Sequence, residues 1–175
     1  DTPDRWPDLR PLNDGPWSSP VMRAAHLLPV LVAVWDWATW PVARQHTWTE
    51  RVALATVHDI IAELPHLPEV IRTQCREATT LTLAKAAAAK AAKTMAVTWA
   101  SWTAWAAMAE AEAAKAKVAA WAAWAAWASA SAAVSAAVGA ADSVTTAEVA
   151  DSVLSRACAI WISATTGLGD MPDTA

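Results

Sequence analysis

The sequence predicts an all-α protein, a helical bundle built around one very long Ala/Trp-rich helix with shorter amphipathic helices packed on it. Ala, which has the highest helix propensity, is abundant. Apolar residues recur at helical spacing in several segments. A half-buried strand would show apolar and polar residues in alternation between turn residues, and no stretch of the sequence has this pattern. The length of 175 residues fits a single domain.

The composition excludes several classes of protein. The net charge of −4 argues against a protein that binds nucleic acid by neutralising phosphates. Two Cys exclude a disulfide scaffold, and four Gly leave little for a phosphate-binding loop. The chain has 13 Trp but no Phe and no Tyr, a split that a recoded or engineered sequence would explain.

The first helix is predicted over residues 20–40, after a Pro-rich irregular lead at residues 1–19. Ser19 is a typical N-cap and Pro20 suits the first helical position. Pro29 lies inside this segment, removes one hydrogen bond and predicts a kink. The apolar positions at helical spacing are Leu27, Leu28, Leu31, Val34, Trp35 and Ala38.

The second helix is predicted over residues 48–64. Thr47 and Glu50 have the spacing of a capping box, in which each side chain satisfies a backbone donor of the other. The expected buried stripe is Leu54, Val57, Ile61 and Leu64, flanked by Val52 and Ile60. The residues expected to face water are Thr49, Arg51, Asp59 and Glu63.

The third segment, residues 68–138, is predicted as the long helix. No Gly and no further Pro occurs between Pro68 and Gly139. One helix over that stretch would be about 108 Å long, at 1.5 Å per residue. Residues 79–82, which include β-branched Thr, are the one place where we expect it to break.

The last helix is predicted over residues 146–165, before a polar tail at residues 167–175. Thr145 and Glu148 have capping-box spacing, and Gly167 is a typical helix end. The expected buried face is Ala150, Val153, Leu154, Ala157, Trp161 and Ala164.

A Trp-rich face of the long helix is the predicted partner-binding surface. Helices folded back from the two ends would cover only about 30 Å each, which leaves residues 86–117 bare. This stretch contains Trp99, Trp102 and Trp105 on one face, beside Met95. Three bare indoles form a larger apolar patch than monomers usually expose, so we expect self-association into a homo-oligomer.

Membrane insertion is not expected. Residues 118–141 carry no charge and are long enough to cross a bilayer. However, the run is mostly Ala and Ser, and its Trp residues lie at one end instead of at both interfaces. The mean hydropathy of +0.22 is low for an integral membrane protein.

The titratable residues do not form a recognisable catalytic or metal site. None of the four His has a second His at the spacing of a zinc helix, so we expect no metal and no cofactor. Asp36, His58 and Cys75 are the residues through which an enzyme would act. Without a secretory signal at the start of the sequence, we expect Cys75 and Cys158 to be buried, reduced thiols of a cytoplasmic protein.

These observations favour a non-catalytic helical scaffold or interaction protein that self-associates. The alternative is a helical protein that binds a flat apolar small molecule in a Trp-lined pocket. An enzyme of unknown class is the third hypothesis.

Overall fold

The structure, a computed structural model, describes residues 9–13, 17–64, 67–98 and 143–170. This part of the chain is mostly helical and contains no strand, which confirms the all-α class. Its helices are α1 (Arg10–Asn13), α2 (Pro20–Ala33), α3 (Val42–Asp59), α4 (Glu69–Arg76), α5 (Leu81–Thr98) and α6 (Ser143–Ser163). Three short 3-10 helices lie at Trp37–Thr39, Ile61–Glu63 and Leu168–Asp170.

Helix α3 is the centre of the described fold. It contacts α4, α5 and α6, while α2 packs on α6 and the single turn α1 contacts both α2 and α6. The α3 residues Trp48, Val52 and Val57 have no exposed surface. The core therefore lies along α3, with the other helices arranged around it.

The first helix is shorter than predicted at one end. It begins at Pro20 as expected, and the Ser19 hydroxyl accepts a hydrogen bond from the Met22 amide. It continues past Pro29 but ends at Ala33, where the prediction extended it to residue 40. A turn follows, after which the indoles of Trp37 and Trp40 pack against Trp48 of α3.

The predicted capping box at the start of the second helix is wrong. Helix α3 already begins at Val42, directly after Pro41, so Thr47 lies inside it. The Thr47 hydroxyl donates to the carbonyl of Ala43, one turn back, and does not cap the helix. Gln45 stabilises the true start, since its side-chain amide donates to two carbonyls of the preceding turn, both at 3.1 Å.

The segment predicted as one long helix over residues 68–138 is interrupted in its described part. Helix α4 ends at Arg76 and α5 begins at Leu81, so the break covers residues 77–80 and overlaps the predicted site at residues 79–82. The Thr80 hydroxyl accepts a hydrogen bond from the Leu83 amide, which caps α5. The remainder of the predicted helix, from residue 99 onward, lies outside the described residues.

The C-terminal helix begins earlier than predicted. Helix α6 starts at Ser143, so Thr145 lies within its first turns and is not the N-cap. Gly167 has a φ of 71°, a conformation that favours glycine, and it ends the turn that follows α6. Leu168, in the tail predicted to be polar, is fully buried. In the lead predicted to be irregular, residues 10–13 form α1.

Burial along the helices agrees with most of the predicted faces. On the predicted buried faces of the second and the last helix, every residue is buried except Leu54 and Val153, which are half-buried. Thr49, which was expected to face water, is buried. Its hydroxyl donates to the Gln45 carbonyl at 2.7 Å, and this local bond lets a polar side chain enter the core.

Small residues bring α5 close to the core. Ala84, Ala87 and Ala91 are buried at helical spacing, while Ala86 is exposed. A row of methyl groups leaves little space between two helix backbones, so larger side chains there must push the helices apart.

We expect Ala87→Leu to lower the free energy of unfolding by about 1–3 kcal/mol, because it overpacks this contact. Ala86→Leu is the matched control on the exposed side, and its effect should stay within about 0.5 kcal/mol. Chemical denaturation measures both. Equal effects of the two substitutions would contradict the packing of α5.

Two buried threonines on α3 differ in one respect. The Thr49 hydroxyl has its hydrogen bond to Gln45, but the Thr56 hydroxyl is buried with no partner. An unsatisfied buried hydroxyl costs about 1–3 kcal/mol.

The isosteric change Thr56→Val should therefore raise the free energy of unfolding by about 1 kcal/mol. Thr49→Val should lower it by about 0.5–1.5 kcal/mol, since it removes a hydrogen bond that is made. Denaturant titration of the two variants beside the wild type tests this. If Thr56→Val were the more destabilising of the two, the assignment would be wrong.

Candidate interaction surface

Helix α2 is fixed at its N-terminus by polar contacts to α6. The Ser18 amide donates to Asp151 Oδ1 at 2.9 Å, and the Ser18 hydroxyl donates to Asp151 Oδ2. Asp151 thus holds both the backbone and the side chain of the residue before the N-cap. These bonds set where the first turn of α2 lies on α6.

The inner face of α2 is the ordinary buried stripe of an amphipathic helix. Leu27, Val30 and Val34 lie at helical spacing and are buried in the core. Beside them, the His26 ring stacks on Trp17 with ring centroids 5.6 Å apart. This packing fixes the rotation of α2 about its own axis.

A cluster of four indoles holds the C-terminal end of α2. Trp48 lies at its centre, with ring centroids 6.5 Å from Trp37, 6.4 Å from Trp40 and 5.1 Å from Trp161, all in edge-to-face geometry. The Trp48 indole N–H donates to the Trp161 carbonyl at 3.2 Å. The indole N–H groups of Trp37 and Trp161 are buried without an acceptor, so packing and not hydrogen bonding holds these two rings.

Two charged side chains position Trp40. Its indole N–H donates to Asp36 Oδ1 at 2.7 Å, and the Arg44 guanidinium carbon lies 3.9 Å from its ring centroid. The second contact is a cation–π interaction. Together they lock the turn between α2 and α3, which determines the direction in which α2 leaves the core.

The outer face of α2 is apolar and exposed. Its large side chains keep most of their surface in solvent, at 77 % for Val21, 59 % for Leu28 and 76 % for Val32. Ala24 and Ala25, between them, are also exposed. Trp35, in the turn that follows the helix, is 63 % exposed. At about 100° per residue the five positions within the helix fall within an arc of about 100°, on the side away from the buried stripe.

The charge distribution of α2 is unusual for a surface helix. A surface helix carries charged and polar residues on its outer face, and a helix that is apolar all round is normally buried. Arg23 is the only Asp, Glu, Lys or Arg in α2. The helix therefore has the composition of a buried helix, although only one side of it is covered by described residues.

One segment of the described chain, Pro20–Thr39, is long and apolar enough to cross a membrane by length and composition. Only 17 % of its most apolar stretch is buried. The regular helix within it is 14 residues long, or about 21 Å, which is shorter than the ~30 Å hydrocarbon layer.

The surface predicted from the sequence lies elsewhere. Trp99, Trp102 and Trp105, and the side chain of Met95, are outside the described residues. The analysis of the sequence missed the α2 face because it assigned Leu28 and Trp35 to the buried side. The scarcity of charge in α2, which carries only Arg23, was the signal that could have revealed it.

The tryptophan cluster does not form an open binding site. Trp48 and Trp161 have no exposed surface, and Trp48 packs against Trp37, Trp40 and Trp161. A flat ligand would have to displace one of these rings to bind among them.

The residues considered for catalysis make hydrogen bonds within the fold or, in the case of Cys75, are buried as a thiol. Asp36 is exposed and accepts the bond from Trp40. His58 donates through Nε2 to the Ala78 carbonyl at 2.7 Å. Burial raises the pKa of the Cys75 thiol, an effect that the charge of Arg76 only partly offsets. Among the described residues, no group of three His, Cys, Asp or Glu could hold a metal ion.

Comparison with known proteins gives no relative, since no protein family, curated protein or solved structure matches this chain.

The two thiols predict a pH dependence of stability. Cys75 and Cys158 are free and buried, as the sequence predicted, and burial raises the pKa of Cys158 from 9.0 to about 12. The unfolded chain therefore releases this proton near pH 9, whereas the folded chain retains it. This contribution to stability is complete below pH 9 and is lost as the pH rises toward 12.

Above pH 9 we expect the free energy of unfolding to fall, with Cys158 contributing at most about 1.4 kcal/mol per pH unit. Cys158→Ala should reduce this slope, whatever it does to stability at neutral pH. Urea titrations between pH 8 and pH 11 on both proteins measure the difference. Parallel curves would show that Cys158 does not ionise on unfolding.

Proposed function

We propose that this chain is a non-catalytic helical interaction protein that self-associates, and that the outer face of α2 is a surface through which it does so. The observation that supports this proposal is the exposure of Val21, Leu28 and Val32 on a side of the helix that carries no charge, with the exposed Trp35 in the turn that follows. Burial of such a face is favourable because it removes apolar surface from water.

The size of the face indicates a weak association. An indole has about 150–250 Å² of surface and an aliphatic side chain about 60–120 Å², so the exposed fractions of the four large residues give about 300 Å² of apolar surface. A stable interface takes about 800 Å² per partner, of which roughly 60 % is apolar. The α2 face alone would provide most, but not all, of that apolar area.

A second copy is favoured over a lipid surface as the occupant. Interfacial helices usually combine an apolar face with Lys and Arg that contact anionic headgroups. Arg23 is the one such cation in α2, and the net charge of the chain is −4.

We propose that the protein is cytoplasmic, since the free thiols Cys75 and Cys158 would remain reduced there.

The Trp99, Trp102 and Trp105 face, with Met95, is proposed as a further contact of the same assembly. Met95 lies near the end of α5, and the three Trp follow that helix in the sequence. Because they add several indoles, they would bring the apolar area above that of the α2 face alone.

We expect the wild-type mass measured by light scattering to rise with concentration up to about 1 mM, the range of a weak dimer. Leu28→Glu should shift the protein to monomer, because pairing would bury an unpaired carboxylate. Val70→Glu is the matched control, since Val70 on α4 is also apolar and 67 % exposed but lies outside the α2 face. It should associate like the wild type.

Circular dichroism melting checks that both glutamate variants are folded. A wild-type protein that stays monomeric at about 1 mM would contradict the proposal. Equal association of Leu28→Glu and the wild type would exclude the α2 face. Sedimentation with zwitterionic phospholipid vesicles forms a separate arm. Binding there that Leu28→Glu abolishes, without association in their absence, would assign the face to lipid.

A further inference from the structure

We propose that the cluster of four indoles around Trp48 is a redox site, which accepts oxidising equivalents from small radicals and holds them on Trp40, with Asp36 as the proton acceptor. The class of reactant is a one-electron oxidant. This activity is independent of the self-association proposed above, because it depends on the buried cluster and not on the outer face of α2.

The indoles are close enough to share an oxidising equivalent. The ring centroids of Trp37, Trp40 and Trp161 lie 6.5, 6.4 and 5.1 Å from that of Trp48. At these separations the edge of one ring touches the face of the next. Rings in contact exchange electrons rapidly, so an electron removed from one indole can be replaced from another. The sequence has no Tyr, the other ring that commonly carries a protein radical.

The partners of the indole N–H groups decide where the oxidising equivalent settles. An indole that loses an electron becomes a radical cation, and its positive charge makes the N–H acidic. The N–H groups of Trp37 and Trp161 are buried without an acceptor, and that of Trp48 donates to a carbonyl, a very weak base. The Trp40 N–H donates to the Asp36 carboxylate at 2.7 Å. Of the four indoles, Trp40 alone therefore has a base that can take its proton.

Arg44 favours loss of the proton together with the electron. Its guanidinium carbon lies 3.9 Å from the Trp40 ring centroid. A positive charge on the ring is repelled at this distance, whereas the neutral radical left after proton transfer is not. In the balanced step, Trp40 loses one electron to the oxidant and its Nε1 proton to Asp36 Oδ1. The products are the reduced oxidant, a neutral indole radical and a protonated Asp36 carboxyl.

Burial keeps the radical inside and lets the proton leave. Trp40 is 4 % exposed, so its radical is shielded from oxygen and from other proteins. Asp36 is exposed, so the proton that it receives can pass to the solvent. Trp37 is half-buried, and an oxidant at the surface can withdraw an electron from the cluster through it.

The two thiols compete poorly for the oxidising equivalent. Oxidation of cysteine proceeds most readily from an exposed thiolate. Cys75 and Cys158 are buried, and burial raises the pKa of both thiols. The indoles therefore remain the preferred electron donors.

Pulse radiolysis with the azide radical as oxidant tests this step by transient absorption, which distinguishes the neutral indole radical from the radical cation. The yield of long-lived neutral radical should fall several-fold in Asp36→Asn, whose amide oxygen can accept the hydrogen bond but not the proton. Asp59→Asn is the matched control. Asp59 is an exposed carboxylate about three turns of α3 beyond Trp48, and its replacement should leave the yield unchanged.

Repeating the wild-type measurement in deuterium oxide gives a second test that needs no variant. The rise of the long-lived radical should be slower there, because the step moves the Nε1 proton of Trp40. Equal yield and lifetime in the wild type and in a folded Asp36→Asn, checked by circular dichroism, would overturn the proposal. A loss shared by Asp59→Asn, or a rise unaffected by deuterium, would overturn it as well.

Discussion

The burial of the Trp48 indole is the interaction on which the described fold depends. It lies at the point where the chain returns from α2 into α3 and where α6 ends, and it touches Trp37, Trp40 and Trp161. A fully buried Trp contributes more apolar area than any other side chain, and edge-to-face contacts add about 0.5–1.5 kcal/mol each. The bond from its N–H to the Trp161 carbonyl joins the two halves of the described chain across the core. Because the sequence has no Phe or Tyr, Trp supplies all of its large apolar rings.

The exposure of the α2 face follows from this anchoring. Trp37 and Trp40 must turn back to reach Trp48, so α2 has to end at Ala33 and lie with its Leu27 stripe inward. Once that stripe is fixed, an equally apolar opposite side is left outside. The hydrophobic effect alone would bury either side of such a helix, because it is non-directional. The specific contacts at the two ends, from Asp151 and from the indoles, decide which side is covered.

Much of the fold could be predicted from the sequence, and its helix boundaries were the main source of error. Helical spacing alone located the buried faces of α3 and α6, since apolar periodicity reflects burial directly. Helix boundaries were harder, because Thr47 matches the pattern of a cap but bonds its hydroxyl one turn back within α3. The same side chain can cap a helix or bond inside it, and only the tertiary position of the preceding turn selects between the two. The break between α4 and α5 was placed nearly right, because the Thr run weakens the helix locally.

The candidate interaction surface was missed for a different reason. Spacing assigns a helix one inner face, and in α2 it selected Leu28 together with Leu27, although the two lie about 100° apart. In an amphipathic helix the charged residues resolve that ambiguity, whereas α2 has only Arg23 to do so. A helix without a polar side thus loses the information that identifies its buried face, and the same absence of charge would favour burial of its other face against a partner. The property that hides such a surface from sequence analysis is also the property on which the proposed self-association depends.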